Sequence, residues 1–195
     1  MDLTPGSGNY RRVDQEDPDL LFDRSARTRV RVVEGQLQVV AWLADETLGP
    51  TGYIRVHDMT LRLTCTLDTL TIVAATAEMA HHPHGVCPLQ TADADALVGL
   101  SIGPGYFSAL RQRMGGVRGC NHLHTLAQGA GTAAALTFAA RRAHAHPQMV
   151  DLTPVEYFQE VVETAPAVVN SCHVWREDGE IVAHLMGSRT GEAHE

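Results

Sequence analysis

The stretch YIRVHDMTLRLTCT, residues 53–66, decides the fold. Within it Met59, Leu61, Leu63 and Cys65 alternate with Thr60, Arg62, Thr64 and Thr66. A period of two sends alternate side chains to opposite faces, so this is a β-strand with one apolar and one polar face. Asp68-Thr69 supplies a turn, and residues 70–77 read as a second strand, giving a long antiparallel hairpin with one apolar side. Cys65 shares the parity of Met59 and Leu61, which assigns it to the core and not to a site. Asp58 has the opposite parity, at the start of the strand and near an edge of the core.

Working outward, residues 29–33 alternate polar and β-branched side chains, Gly35 offers a turn, and residues 37–43 read as another strand. Gly49-Pro50 marks a loop. After the central hairpin the pattern changes. His81-His82-Pro83-His84-Gly85 is a loop, and Cys87 stands before Pro88 and a helical pattern that runs toward Leu100. Proline is favoured at the first helical position, so Cys87 reads as an N-cap or its neighbour. Gly103-Pro104-Gly105 breaks the chain, residues 106–114 form a short helix, and Gly115-Gly116 ends it. Gly119-Cys120 opens a long Ala-rich helix that reaches about His144 and stops before Pro147. Thr153-Pro154 begins a further helix. Strand patterns followed by helix patterns are the mark of an α+β fold, here an antiparallel sheet with helices packed on one face. Residues 1–23, with Pro5-Gly6-Ser7-Gly8 and an acidic run over 14–19, are expected to be a flexible segment before a single domain, 24–195.

The 195 residues carry a formal net charge of −8 and no basic stripe able to track a phosphate backbone, so nucleic acid is not an expected partner. No apolar run approaches the roughly 20 residues of a membrane helix, and the acidic, polar N-terminus does not resemble a signal peptide. The expected location is the cytoplasm. The expected partner is a small-molecule substrate, with a homodimer as an open option. In a reducing compartment the four cysteines are more often ligands, catalytic groups or core residues than disulfides. No GxGxxG fingerprint and no P-loop is present, which argues against NAD or flavin chemistry.

Candidate chemistry gathers at helix starts. Cys87 and Cys120 each precede a helix, whose N-terminal N–H groups stabilise a thiolate. Cys120 is followed by His122 and His124; residues four apart share a helix face, so Cys120 and His124 converge if both are helical, and His122 joins them if Cys120 still lies in the loop. His57-Asp58 pairs an imidazole with a carboxylate, in the manner of a ligand with its orienter or a general base with its partner. Against these readings stand inert, buried thiols and solvated surface histidines.

The stretches Val56-His57-Asp58-Met59, Cys87-Pro88, Gly119-Cys120-Asn121-His122-Leu123 and Ser171-Cys172-His173 together resemble a bacterial family of unknown function, over most of residues 29–181. A more distant resemblance, by motif order over residues 52–140, is to iron–sulfur scaffold proteins of the IscU/NifU type. That resemblance implies an IscU-like core, with the N-terminal hairpin and a C-terminal extension added, and ligand positions at Asp58, Cys87 and Cys120. The scaffold's first cysteine falls on Val56, so two thiolates replace three. A [2Fe–2S] cluster usually takes four protein ligands, mostly Cys. Asp58, Cys87, Cys120 and a histidine instead suit one Zn or Fe ion, with His122 the expected fourth ligand and His124 the alternative. The function expected from this set is a metal-dependent enzyme doing non-redox lyase, hydratase or hydrolase chemistry, with His57 or His122 as acid/base. A non-catalytic metal or iron–sulfur carrier is the alternative. Cys172 and His173 are expected to line the same cavity or to sit beside it.

Overall fold

The computed structural model describes residues 19–50, 52–145, 156, 159–160, 169–170 and 172–184. The segment over 1–18 and the helix expected from Thr153 lie largely outside these residues. The chain groups into two compact units, 1–136 and 137–195.

The first unit holds a four-stranded antiparallel sheet in the order β1-β2-β3-β4, with β1 Phe22–Val33, β2 Gln36–Gly49, β3 Gly52–Thr66 and β4 Ile72–His81. The first turn is Glu34-Gly35, between partners Val33 and Gln36, and both residues have positive φ (49° and 75°). That is the type I′ geometry whose twist matches two flanking strands, and it sets the β1–β2 register. β1 starts at Phe22, inside the segment expected to be flexible, and its outermost turn is tied down by Tyr53, whose hydroxyl donates to the Leu20 carbonyl.

One face of the sheet is the core. Leu37, Val39, Ala41 and Leu43 on β2 and Met59, Leu61, Leu63 and Cys65 on β3 all lie on it, and each is at most 2 % exposed. Cross-strand pairing sets Leu43 beside Met59 and Leu37 beside Cys65. Each fully buried aliphatic side chain there contributes about 1.5–3 kcal/mol. The expected strand parity and the core assignment of Cys65 are both seen. Burial pushes the Cys65 thiol up to about 11. At pH 8 an alkylating reagent should therefore modify Cys65 far more slowly than the partly exposed Cys87 and Cys120, which mass spectrometry of partly labelled protein would resolve. Labelling of Cys65 at the rate of the others in folded protein would contradict its placement.

Helical elements cover the core face. A 3-10 helix Cys87–Leu97 stands where a helix after Pro88 is expected, and it buries Ala94 and Leu97. Helix α1, Tyr106–Met114, begins after Gly105 (φ 86°) and carries Arg111 and Arg113 in its last turn, where cations favour the carbonyl end. Helix α2, Asn121–Ala145, buries Leu123, Leu126, Ala127, Ala130 and Ala134. Its small residues permit close approach: Tyr106 lies against Gly131, and its hydroxyl donates to the Ala127 carbonyl at 2.9 Å. The fold is thus α+β with an antiparallel sheet, as expected. In the second unit the described residues form turns over 172–179 and a helical turn over 180–184; Cys172 and His173 are exposed there.

Candidate metal centre

The core face of β2 does not end at Leu43. Two residues further, on the same side, stands Asp45, 1 % exposed. An ionised carboxylate is not left in such a place without partners. Three surround it. Arg24, its cross-strand neighbour on β1, grips it with two bonds, Nε to Oδ1 at 2.6 Å and Nη2 to Oδ2 at 2.8 Å. His57, its neighbour on β3, has Nδ1 2.9 Å from Oδ2. His122, from the first turn of α2, brings Nε2 to 3.5 Å from the same oxygen. The two imidazole rings lie 3.8 Å apart between centroids, tilted by 35°.

Local structure explains the convergence. The β2–β3 register shifts after Asp45, so that Asp45 faces His57 while Glu46 faces Arg55, and Val56 is the extra residue on β3. A bulge of this kind re-aims side chains and is over-represented beside functional sites. His122 is placed by the helix start. The Cys120 carbonyl accepts the His124 N–H at 2.9 Å, which makes Cys120 the N-cap of α2 and His122 a first-turn residue. The Cys120 thiol lies 3.9 Å from His122 Nδ1, on the far side of the ring from Asp45.

Charge follows the same geometry. Burial pushes the Asp45 carboxyl up, but the Arg24 fork and then His57 outweigh it and hold Asp45 below its ordinary value. Burial, reinforced by His57, lowers His122, which favours the neutral ring with a lone pair to offer. Because the folded Asp45 resists protonation, its contribution to stability is complete above the unfolded value of about 3.9 and is lost as pH falls through the lower, folded value. An Asp45→Asn variant should show a flatter loss of urea stability between about pH 5 and 2 than the parent. Equal slopes would show that the carboxylate is not so linked.

Asp45, His57 and His122 are the residues whose ligand atoms all lie within 4.8 Å of one another, the group among the described residues able to hold one metal ion. Atoms bound at about 2.0–2.2 Å to one ion lie about 2.9–3.4 Å apart at adjacent positions, close to the 2.9 Å and 3.5 Å that separate Asp45 Oδ2 from the two imidazole nitrogens. The donor set of two imidazoles and a carboxylate suits Zn or Fe.

Of the four ligands expected from sequence, only His122 belongs to this group. Asp58, one residue from His57, points to the opposite face of the sheet. There its Oδ1 accepts the Trp42 indole N–H at 2.8 Å and its Oδ2 accepts Arg55 Nη1 at 2.9 Å, with Arg55 also bound to Glu46. Cys87 opens the 3-10 helix, half-buried, and Asp58, Cys87 and Cys120 do not make up a convergent group. Cys120 comes to the edge of the centre, against a ligand's ring. His124, the alternative fourth ligand, is turned inward, and its Nε2 is buried without a hydrogen-bond partner among the described residues. His57, expected as a base, belongs to the group itself. Asp45 and Arg24 stand in no motif, although Asp45 continues the parity of Leu37, Val39, Ala41 and Leu43, a signal that a charge sits at a core position.

The chain belongs to the family described as protein of unknown function, DUF2889, whose model matches residues 22–136 and so spans β1 through the first four turns of α2. Comparison with curated proteins and with solved structures finds no match. Among the described residues no helix is long and apolar enough to cross a membrane.

Proposed function

We propose that this chain is a metal-dependent enzyme with one Zn or Fe ion held by Asp45, His57 and His122, doing non-redox lyase, hydratase or hydrolase chemistry on a small organic substrate. The carrying observation is the convergence of the three ligand atoms at separations suited to one ion. Three protein ligands leave further positions for water or substrate, the arrangement of catalytic rather than structural sites. When bound, the ion would polarise a carbonyl or lower the pKa of water.

The chain's own residues divide the remaining work. Arg24 takes one lone pair on each Asp45 oxygen, which fixes the plane of the carboxylate and leaves Oδ2 a lone pair for an ion in place of the His57 N–H. Cys120 faces the second ring nitrogen of His122 and so orients the imidazole. In the loaded protein His57 and His122 serve as ligands, so neither is the acid/base at its coordinating nitrogen. The test is metal analysis of freshly purified chain and of apoprotein reloaded with Zn²⁺ or Fe²⁺. One ion per chain is expected; protein that takes up neither ion overturns the reading.

Partial exposure of the site favours a second reading, a carrier. The side chains of Arg24 and His122 are 36 % and 24 % exposed, so an ion there is reached from solvent, as release requires. The order of strand, hairpin, Cys87 and Cys120 at a long helix is also that of the IscU-type scaffold. Iron accompanied by sulfide, passed rapidly to a chelator, would select this reading over the enzyme.

A further inference from the structure

The sheet extends past the metal centre on the core face. Arg24, Asp45 and His57 form one cross-strand row. The next row on that face is Phe22, Thr47 and Ile54, two residues further along β1 and β2 and so about 7 Å away. The extra residue Val56 keeps Ile54 on the side of His57. Here the cover ends: Leu43 is fully buried and Asp45 is 1 % exposed, whereas Phe22 and Ile54 are 50 % and 49 % exposed. An exposed apolar shelf therefore adjoins the polar centre.

Arg24 links the two. Its guanidinium carbon lies 5.8 Å from the Phe22 ring centre. Nε and Nη2 are spent on Asp45, while Nη1 has no acceptor among the described residues and the side chain is 36 % exposed. Charge fixes the sign of the ligand. Arg24 and Asp45 cancel, both imidazoles are neutral as ligands, and a divalent ion leaves the centre positive. The acidic neighbours Glu46 and Asp58 lie on the opposite face, bound to Arg55.

We propose that the centre takes a small carboxylic acid with an aromatic or branched apolar body, its carboxylate at the ion and Arg24 Nη1 and its body on Phe22 and Ile54. The proposal rests on the metal reading and adds the substrate class. Free carboxylates that lack the body satisfy only the polar half.

The experiment uses the zinc-loaded full chain with phenylacetate and acetate as calorimetric probes. Phenylacetate should bind at least about tenfold tighter than acetate, the effect of burying part of one ring. Ile54→Ser should lower that preference with zinc content at the parent value, and Phe22→Ser combined with it should abolish the preference. A chain that takes up no zinc overturns the metal reading and this proposal with it. A zinc-loaded chain that binds phenylacetate no tighter than acetate overturns the proposal alone. So does a dimer in sedimentation that either serine variant splits, because the shelf would then be covered by a second copy.

Discussion

Alanine at His57 or at His122 should lower zinc affinity by at least about a hundredfold, while Asp58→Asn and Cys87→Ser should leave it within about a factor of two. The first pair removes a donor atom from a three-ligand set, and no other group among the described residues converges on that point to replace it. The second pair alters groups that face elsewhere, since Asp58 is bound to Trp42 and Arg55 across the sheet. The imidazole variants are cleaner than changes at Asp45, whose loss also strands Arg24. Cys120→Ala should fall between, at about tenfold, because the thiol touches the far nitrogen of His122 and not the ion. Competition with a chromogenic chelator measures all five variants, and circular dichroism checks that each is folded. Retention of zinc by His122→Ala together with its loss in Cys87→Ser would sink the Asp45 centre and restore the ligand set of Asp58, Cys87 and Cys120.

The contrast between Asp58 and His57 marks how far the chain can be read without coordinates. Strand alternation in residues 57–66 fixes which side chains share a face, and it is a local property. It therefore yields the central hairpin, the burial of Cys65 and the outward aim of Asp58. The position of α2 is legible for the same reason, since glycines before it and small residues along it are local signals. The centre itself depends on two things that are not local. One is the register of three strands, which brings Arg24, Asp45 and His57 into a row although they are far apart in sequence. The other is the bulge at Val56, one added residue with no side-chain signature, which decides what stands opposite Asp45. Motif order points to Asp58 because the scaffold's carboxylate falls there. Parity places His57 and Asp45 on the core side, where a charge has to find partners, and the register decides which partners it finds.

Gly131→Ala should destabilise the fold by about 2–3 kcal/mol, opposite in sign to the gain of up to about 1 kcal/mol that alanine gives in an open helix. A methyl group at this position meets Tyr106 Cε1 at 2.3 Å and Cδ1 and Cζ at 3.0 Å, well inside contact distance. Neither side yields readily. Gly131 lies in the middle of α2, and the Tyr106 ring is 3 % exposed with its hydroxyl bound to the Ala127 carbonyl. Separation of α2 from α1 is the remaining way to relieve the overlap, and it would move the helix that delivers His122 to Asp45. Urea unfolding gives the stability change, and zinc affinity reports the displacement. Tyr106→Phe should not rescue Gly131→Ala, because the clash is with ring carbons, whereas Tyr106→Leu should recover part of the loss by removing the ring. A Gly131→Ala variant as stable as the parent would mean that the two helices do not meet at this glycine.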